Sequence, residues 1–341
     1  MSRLRLGTIL TAVLVLVGIT ATPEARAAEF TWRMQSNLGP SAPAYQAMQS
    51  AFVDSVKEMS GGRIEIKLFP VGALFPVKEG LEAVGSGIAE IGMMSGFYFA
   101  GKLGKIASIE SGLPGAERNP LERYAFFYEK GFIDIAREAY APHGVYYLGP
   151  QLSPPWEIVS NVEFKGIADF QGKKIRGGGI EAEWFNAMGA EGVFLGGAEV
   201  YTALATGVVD AVRWGSPSQN LAKGFHEIAK YYIQPSPMPA PNNNVLVNLE
   251  AWNKLPADLQ AIMRSAVRSA SMSYLSKAAA LDGAAMAELQ AKGMKVVTIS
   301  PEEWAKMEKK VQKIWAGYAS DSELSARAIN LLEDFLKDLG R

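Results

Sequence analysis

Apolar residues fall into two alternating spacings along the chain, and their order predicts the fold. Phe30–Met34 predicts a strand, followed by the polar loop Gln35-Ser36-Asn37-Leu38-Gly39-Pro40. Tyr45, Met48, Phe52, Val56 and Met59 then recur at helical spacing. Gly61-Gly62 stops that helix. Ile64, Ile66 and Leu68 alternate with Glu65 and Lys67, the pattern of a half-buried strand. Val77, Leu81 and Val84 predict a helix, and Ile88–Met94 a buried strand. Strand, helix, strand, helix, strand is the grammar of an open α/β sheet.

The same grammar returns between residues 174 and 214. Lys174-Ile175-Arg176 reads as a strand before Gly177-Gly178-Gly179, and Glu183–Met188 as a helix. Gly192–Leu195 is a strand, Glu199–Thr206 a helix and Val208–Trp214 a strand. A shift of 120 positions pairs Glu79 with Glu199, Ala83 with Ala203, Gly87 with Gly207, Ile88 with Val208 and Glu90 with Asp210. Each match is weak alone. Together they keep a helix, the glycine that ends it and the strand behind it. The fold class expected is α/β: two lobes with open, mostly parallel sheets. Crossing segments near Gly149–Ser153 and Pro237–Val247 join the lobes and act as hinges.

Ligands of open α/β sheets sit beyond the carboxyl ends of the strands, and pockets form between domains. The candidates are therefore Asn37 after the first strand and Ser95 and Tyr98 after Met94. In the second copy they are Arg176 and Trp214. Gln151, Gln219 and Asn243 lie in turn-rich segments beside them. Arg176 before three glycines can grip a carboxylate with two parallel hydrogen bonds, and the glycines let backbone approach a ligand. It is equally readable as a solvated arginine next to Lys173-Lys174. Trp214 is either an apolar wall or core.

Towards the C-terminus the pattern becomes helical. An Ala-rich stretch opens at Leu255-Pro256-Ala257-Asp258 and runs to about Lys292. Met294–Ile299 predicts a strand, and Ser300-Pro301-Glu302-Glu303 a capping box. Trp304, Met307, Val311 and Trp315 line one face of the next helix, and a last amphipathic helix reaches Arg341.

Composition narrows the function. Among 341 residues, 48% are hydrophobic and 20% charged, and the net charge is -1. This is an ordinary soluble chain with no electrostatic case for nucleic acid. Arg3 and Arg5 precede an apolar run from Leu6 to Ile19 and the small-residue stretch ending Ala25-Arg26-Ala27, the layout of a secretory signal peptide. Its removal takes away three arginines and one glutamate, so the net charge moves from -1 to -3. No later segment reads as a membrane span, so no membrane insertion is expected. With no cysteine, a disulfide, a thiolate nucleophile, a Cys-ligated zinc and a lipid anchor on cysteine are excluded.

Catalytic chemistry is thinly represented. There are two histidines, His143 and His226, and no G-x-S-x-G, H-E-x-x-H or phosphate-loop motif. Gly177-Gly178-Gly179 lacks the spacing of a nucleotide loop. The enzymatic alternative is a secreted α/β hydrolase or lyase using Glu181, Glu183 or Glu199. Such an enzyme needs a positioned acid and base, and no pair stands out. No cofactor is expected.

Longer segments add a resemblance. Gly61-Gly62-Arg63-Ile64 through Gly72-Ala73-Leu74 comes first, then Phe170-Gln171-Gly172-Lys173-Lys174-Ile175-Arg176. Glu199-Val200-Tyr201-Thr202-Ala203-Leu204, Gly207-Val208-Val209-Asp210 and Gly224–Tyr232 come next, and Asn248 and Trp252-Asn253-Lys254-Leu255-Pro256 close it. In this order the chain resembles the substrate-binding proteins of tripartite ATP-independent periplasmic (TRAP) transporters, nearest the α-keto acid subgroup.

The resemblance implies a periplasmic, two-lobed clamp that passes a small organic acid to membrane permease subunits. It implies lobe I at 28–149 with part of the segment after 245, lobe II at 150–240, a long spanning helix at 256–292 and a C-terminal strand and helices at 293–341. The arginine that pairs with the substrate carboxylate corresponds to Arg176. The subgroup places a tryptophan where Trp214 is, an amide near Gln219 and a glutamine like Gln151, though the spacing from Gln151 to Arg176 is longer here. It also places a cation-holding glutamate where this chain has Arg213. A second carboxylate expected near Pro237–Pro241 is replaced by Asn242-Asn243-Asn244. No metal is therefore expected. Export predicts a mature chain beginning near Ala28, and mass analysis of the periplasmic protein checks this. An exported chain that retains Met1 overturns it.

Overall fold

The computed structural model describes residues 27–197, 199–235 and 238–341. The expected signal peptide, 1–27, lies outside them except for its last residue. Eleven strands occur among the described residues: β1 (Phe30–Ser36), β2 (Ile64–Phe69), β3 (Ile91–Met94), β4 (Val145–Gln151), β5 (Ile158–Ser160), β6 (Lys174–Arg176), β7 (Glu191–Val193), β8 (Ala211–Arg213), β9 (Tyr231–Gln234), β10 (Asn243–Asn248) and β11 (Lys295–Thr298). They form two sheets, ordered β2-β1-β3-β10-β4 and β11-β9-β5-β8-β6-β7. Five of the nine pairings are parallel. The four antiparallel ones all involve β5 or β10. These two strands come directly after a crossing from the other lobe, so they enter their sheets running the other way. Both sheets are mixed.

The internal repeat is a structural one. Met34 pairs with Ile91 in the first sheet and Ile175 with Ala211 in the second, and Ile91 and Ala211 are 120 positions apart. The carboxylate of Glu90 accepts from Arg33 N at 2.7 Å, and that of Asp210 from Lys174 N at 2.8 Å. Gly87 and Gly207 both end a helix at positive φ, +79° and +73°, where a side chain would strain the backbone. The strands behind them start later than the apolar runs suggest. Ile88 and Val208 fall in the turn and are exposed. The first helix also departs from a single stripe. Gln49–Val53 forms a π turn between Pro43–Met48 and Asp54–Met59. The wider turn shifts the phase, so Phe52 and Val56 are buried while Met59 is exposed.

The helix Ala257–Ala291 has 35 residues and is about 52 Å long. Leu259, Met263, Val267, Ala270 and Tyr274 pack into the first lobe's core, and Leu289 into that of the second. Between these, Ser271 Oγ donates to Pro150 O at 2.7 Å and accepts from Leu152 N at 3.1 Å. It thereby holds the outward crossing. Asp282 accepts from Ser216 Oγ at 2.8 Å and from Ser218 N at 3.0 Å. The helix Pro301–Ala319 starts at Ser300, whose side chain accepts from Glu303 N, and buries Trp304, Met307, Val311 and Trp315.

One polar network lies inside the first lobe. Arg123 donates to Glu117 Oε1 at 3.1 Å and to Asn242 Oδ1 at 2.6 Å. Tyr140 donates to Glu110 Oε1 at 3.0 Å, Asn244 also donates to that oxygen, and Tyr147 donates to Asn244 Oδ1 at 2.9 Å. Burial pushes the Glu110 carboxyl up to about 8, against the pull of these hydrogen bonds and of Arg123. Its folded pKa is thus above its unfolded one. Between roughly pH 4.5 and 8 the folded state keeps a proton that the unfolded chain has lost, so stability drains away as pH rises through that window. Glu110→Gln carries no such loss. Its melting temperature relative to wild type is expected to be higher at pH 8 than at pH 5. An offset that stays constant between the two would refute the assignment.

Candidate functional site

The carboxyl ends of β6 and β8 bring Arg176 and Trp214 together. Arg176 Nε and Nη2 donate to Leu195 O at 3.4 and 3.3 Å, and Nη1 to Arg213 O at 3.3 Å. Three of its five N–H donors are engaged, all at long range. The guanidinium carbon lies 5.4 Å from the Trp214 ring, within reach of a cation–π attraction. The glycines after Arg176 have a packing reason. A Cβ on Gly177 would lie 2.7 Å from the Phe185 ring, and one on Gly178 2.7 Å from the Phe194 ring.

Gln219 sits in the helix Pro217–Ala222. Its amide donates to Tyr274 Oη at 3.0 Å and accepts from Ser216 N at 3.2 Å. A cleft of about 370 Å³ opens here, lined by Pro43 and Gln46 of lobe I, Gln219 of lobe II and Tyr274 and Lys277 of the long helix. On the first lobe, Asn37 donates to Asn243 Oδ1 at 3.2 Å, and Asn243 to Gln151 Oε1 at 3.4 Å. Gln151 is fully buried and its amide donates to Ala44 O at 2.9 Å. Tyr98 stands against Asn37. Burial raises its phenol pKa, and the hydrogen bond from Asn37 acts the other way. Ser95 is buried in the same loop, with Tyr98 N donating to its carbonyl at 3.3 Å. Two groups emerge: Arg176, Trp214 and Gln219 on one lobe, and Asn37, Ser95, Tyr98, Gln151 and Asn243 on the other. Gln151 and Gln219 use their amides on the protein itself.

Arg213 turns away from the cleft. It is fully buried, pairs with Glu181, and donates to Met238 O and Pro239 O at 2.9 Å each. Burial lowers its pKa, with Glu181 and Glu157 opposing. Glu157, the residue before β5, lies beside Trp214, whose backbone N–H donates to its backbone carbonyl at 3.2 Å, and burial pushes its carboxyl up to about 8, with Arg213 pulling it down. A cation at this place would meet a guanidinium where hard cations need several oxygen ligands. Among the described residues no cluster of three or more His, Cys, Asp or Glu could hold a metal. Sequence reasoning saw the charge of Arg213 but neither Glu181 nor Glu157 as its neighbours, because all three come together only through the sheet.

The carboxylates of the enzymatic alternative are each occupied by structure. Glu181 holds Arg213, Glu183 accepts from Tyr318 Oη at 2.8 Å, and Glu199 accepts from Gly196 N at 2.9 Å.

Residues 34–321 match the DctP family, bacterial extracellular solute-binding proteins of family 7. The chain belongs to this family. A monocarboxylate 2-oxoacid-binding periplasmic protein of Nostoc sp. is 32% identical over 307 residues, 86% of this chain and 82% of that one. A TRAP periplasmic solute-binding protein of Rhodobacter sphaeroides, solved in an apo open form, is 29% identical with a TM-score of 0.81, covering 91% of this chain and 98% of that one. One of Pseudoalteromonas atlantica, solved with sodium and pyruvate, is 26% identical with a TM-score of 0.76, covering 91% and 94%. TRAP solute-binding proteins work with membrane permease components and are not enzymes, so the hydrolase or lyase alternative falls. The relatives are periplasmic, in keeping with the expected signal peptide, and no described helix is long and apolar enough to cross a membrane.

The two arginines are expected to differ in what they hold up. Removing Arg213 strands Glu181 inside lobe II, so Arg213→Ala is expected to cost about 3–5 kcal/mol of stability. Arg176 is half-buried with long hydrogen bonds, so Arg176→Ala is expected to cost under about 1 kcal/mol. Urea unfolding without ligand measures both, and equal losses would contradict the distinction.

Proposed function

We propose that this TRAP binding protein captures a small monocarboxylate of the 2-oxo acid class, with Arg176 as the carboxylate anchor. The observation that carries the reading is the guanidinium of Arg176. It stands at the carboxyl end of β6 beside Trp214, with two N–H groups left over from its backbone contacts. Those groups suit a carboxylate's two oxygens. The 2-oxoacid-binding relative of Nostoc supports the class of acid, and the pyruvate-bound neighbour agrees.

On this reading Trp214 is the apolar wall beside the anchor. Asn37, Ser95, Tyr98 and Asn243 face it from lobe I, and Gln151 and Gln219 order the two sides. Lobe I (28–149) and lobe II (150–240) close as hinged bodies about their two crossings, and the permease distinguishes loaded from empty protein by lobe separation. Capture proceeds without a cation, since Arg213 with its ion pair takes the place of a metal-holding carboxylate.

Titration calorimetry with pyruvate and larger 2-oxo acids tests this. Arg176→Ala is expected to weaken binding at least about a hundredfold, roughly 2.7 kcal/mol, because the acid's charge is left unpaired in a desolvated site. Arg176→Lys is expected to recover part of the loss, as one ammonium cannot copy the fork. Wild type is expected to bind equally with and without a chelator. Undiminished affinity in Arg176→Ala would remove the anchor, while binding abolished by chelation and restored by calcium or sodium would remove only the cation-free claim.

A further inference from the structure

Phe194 is the most exposed large apolar side chain among the described residues, 76% accessible. It comes directly after β7, at the carboxyl end of a sheet strand, where ligands of such sheets lie. Its ring rests on Gly178, two residues after Arg176, so closely that a Cβ there would come within 2.7 Å. The next residue, Leu195, supplies the carbonyl that holds the Arg176 guanidinium. Two residues further, Gly197 lies over the Trp214 ring, where a Cβ would stand 3.1 Å from the indole. The segment 194–197 is thus pinned against both Arg176 and Trp214, and it presents a phenyl ring to water. On lobe I, Phe97 is also exposed and its ring lies 4.1 Å from that of Tyr98, tilted by 34°, in the loop after β3.

A carboxylate anchor flanked by an exposed ring is a two-part recognition surface: a fork for the charge and an apolar face for the remainder of the acid. A methyl group is too small to cover a phenyl ring. We infer that the acid carries a bulky apolar tail, branched alkyl or aryl, and that Phe194 is the specificity-determining residue that packs against this tail while Arg176 holds the carboxylate. This rests on the anchor reading above and narrows it from small acids in general to those with a large side chain.

Three probes separate the outcomes: pyruvate, 4-methyl-2-oxopentanoate and phenylpyruvate, each titrated into wild type and Phe194→Ala. At least one bulky acid is expected to bind wild type about tenfold or more tighter than pyruvate, as added buried methylenes do in an apolar pocket. Phe194→Ala is expected to weaken the bulky acids by about tenfold or more and pyruvate by less than about twofold. The unliganded melting temperature is expected to be unchanged, since the ring is in water. Pyruvate bound more tightly than both larger acids would overturn the tail site and leave the anchor standing. An equal loss for all three acids in Phe194→Ala would also overturn it, because the ring would then serve lobe closure. If none of the three binds wild type, the anchor reading falls and the tail site with it.

Discussion

The return crossing between the lobes is the constraint on which the rest depends. From Pro235 to Pro241 every second residue is proline. Such a segment lacks half its N–H groups and has fixed φ angles, so it cannot join a sheet, yet its carbonyls still need donors. An arginine and a serine supply donors to three of them, and a second arginine holds the side chain of the asparagine that follows. Arg213 of lobe II donates to Met238 O and Pro239 O, Ser153 of the outward crossing donates to Pro241 O, and Arg123 of lobe I donates to Asn242 Oδ1. The two crossings are therefore bonded to each other, and the return one is gripped from both lobes. Arg213 can serve there only while its charge is balanced by Glu181. A residue one position before Trp214 is thus bonded to the return crossing.

The repeat bears on why the proposed charge recognition lies on one lobe. Gln35 and Arg176 come after equivalent strand positions, Met34 and Ile175. Each ties down the loop beyond the neighbouring strand. Gln35 does so with a neutral amide, bonded to Phe75 N at 3.0 Å and Phe75 O at 2.8 Å, and is fully buried. Arg176 does the same for Leu195 but carries more donors and a charge, and it stays half-buried. The same fold position is saturated in lobe I and left with spare donors in lobe II.

How far the chain could be read from its residues depends on how local each signal is. The helix–glycine–strand units at 80–94 and 200–213 were legible because their hydrogen bonds span few residues. The signal of β4, β5, β9 and β10 was not, since their partners lie far away: Tyr147 pairs with Leu246 and Ile158 with Arg213. The short helices between Gly96 and Tyr140 have too few turns to display a period. The placement of Arg176 and Trp214 at strand ends was legible because strand ends can be read locally. Gln151 and Gln219 stand out in turn-rich segments, and nothing local shows that their amides donate to Ala44 O and Tyr274 Oη. Gly177-Gly178-Gly179 was read as room for a ligand, whereas the first two make room for the rings of Phe185 and Phe194.

With Arg176 as the carboxylate anchor proposed above, its own bonds bear on how an acid can be both held and released. Arg176 reaches two separate elements, the loop at Leu195 and the end of β8 at Arg213, and both contacts are long. A carboxylate arriving at the free N–H groups need displace neither, so binding adds interactions to a guanidinium already in place. In the open cleft that charge pair is weakened by water. Closing the lobes removes the water and strengthens it severalfold at the same distance. Reopening reverses this without any side chain having to change partners. Leu195 sits between Phe194 and the segment resting on Trp214, so the loop that holds the guanidinium also contacts the neighbouring rings. On the proposed reading lobe separation tunes the affinity, and a permease that pulls the lobes apart needs no contact with the bound acid to discharge it.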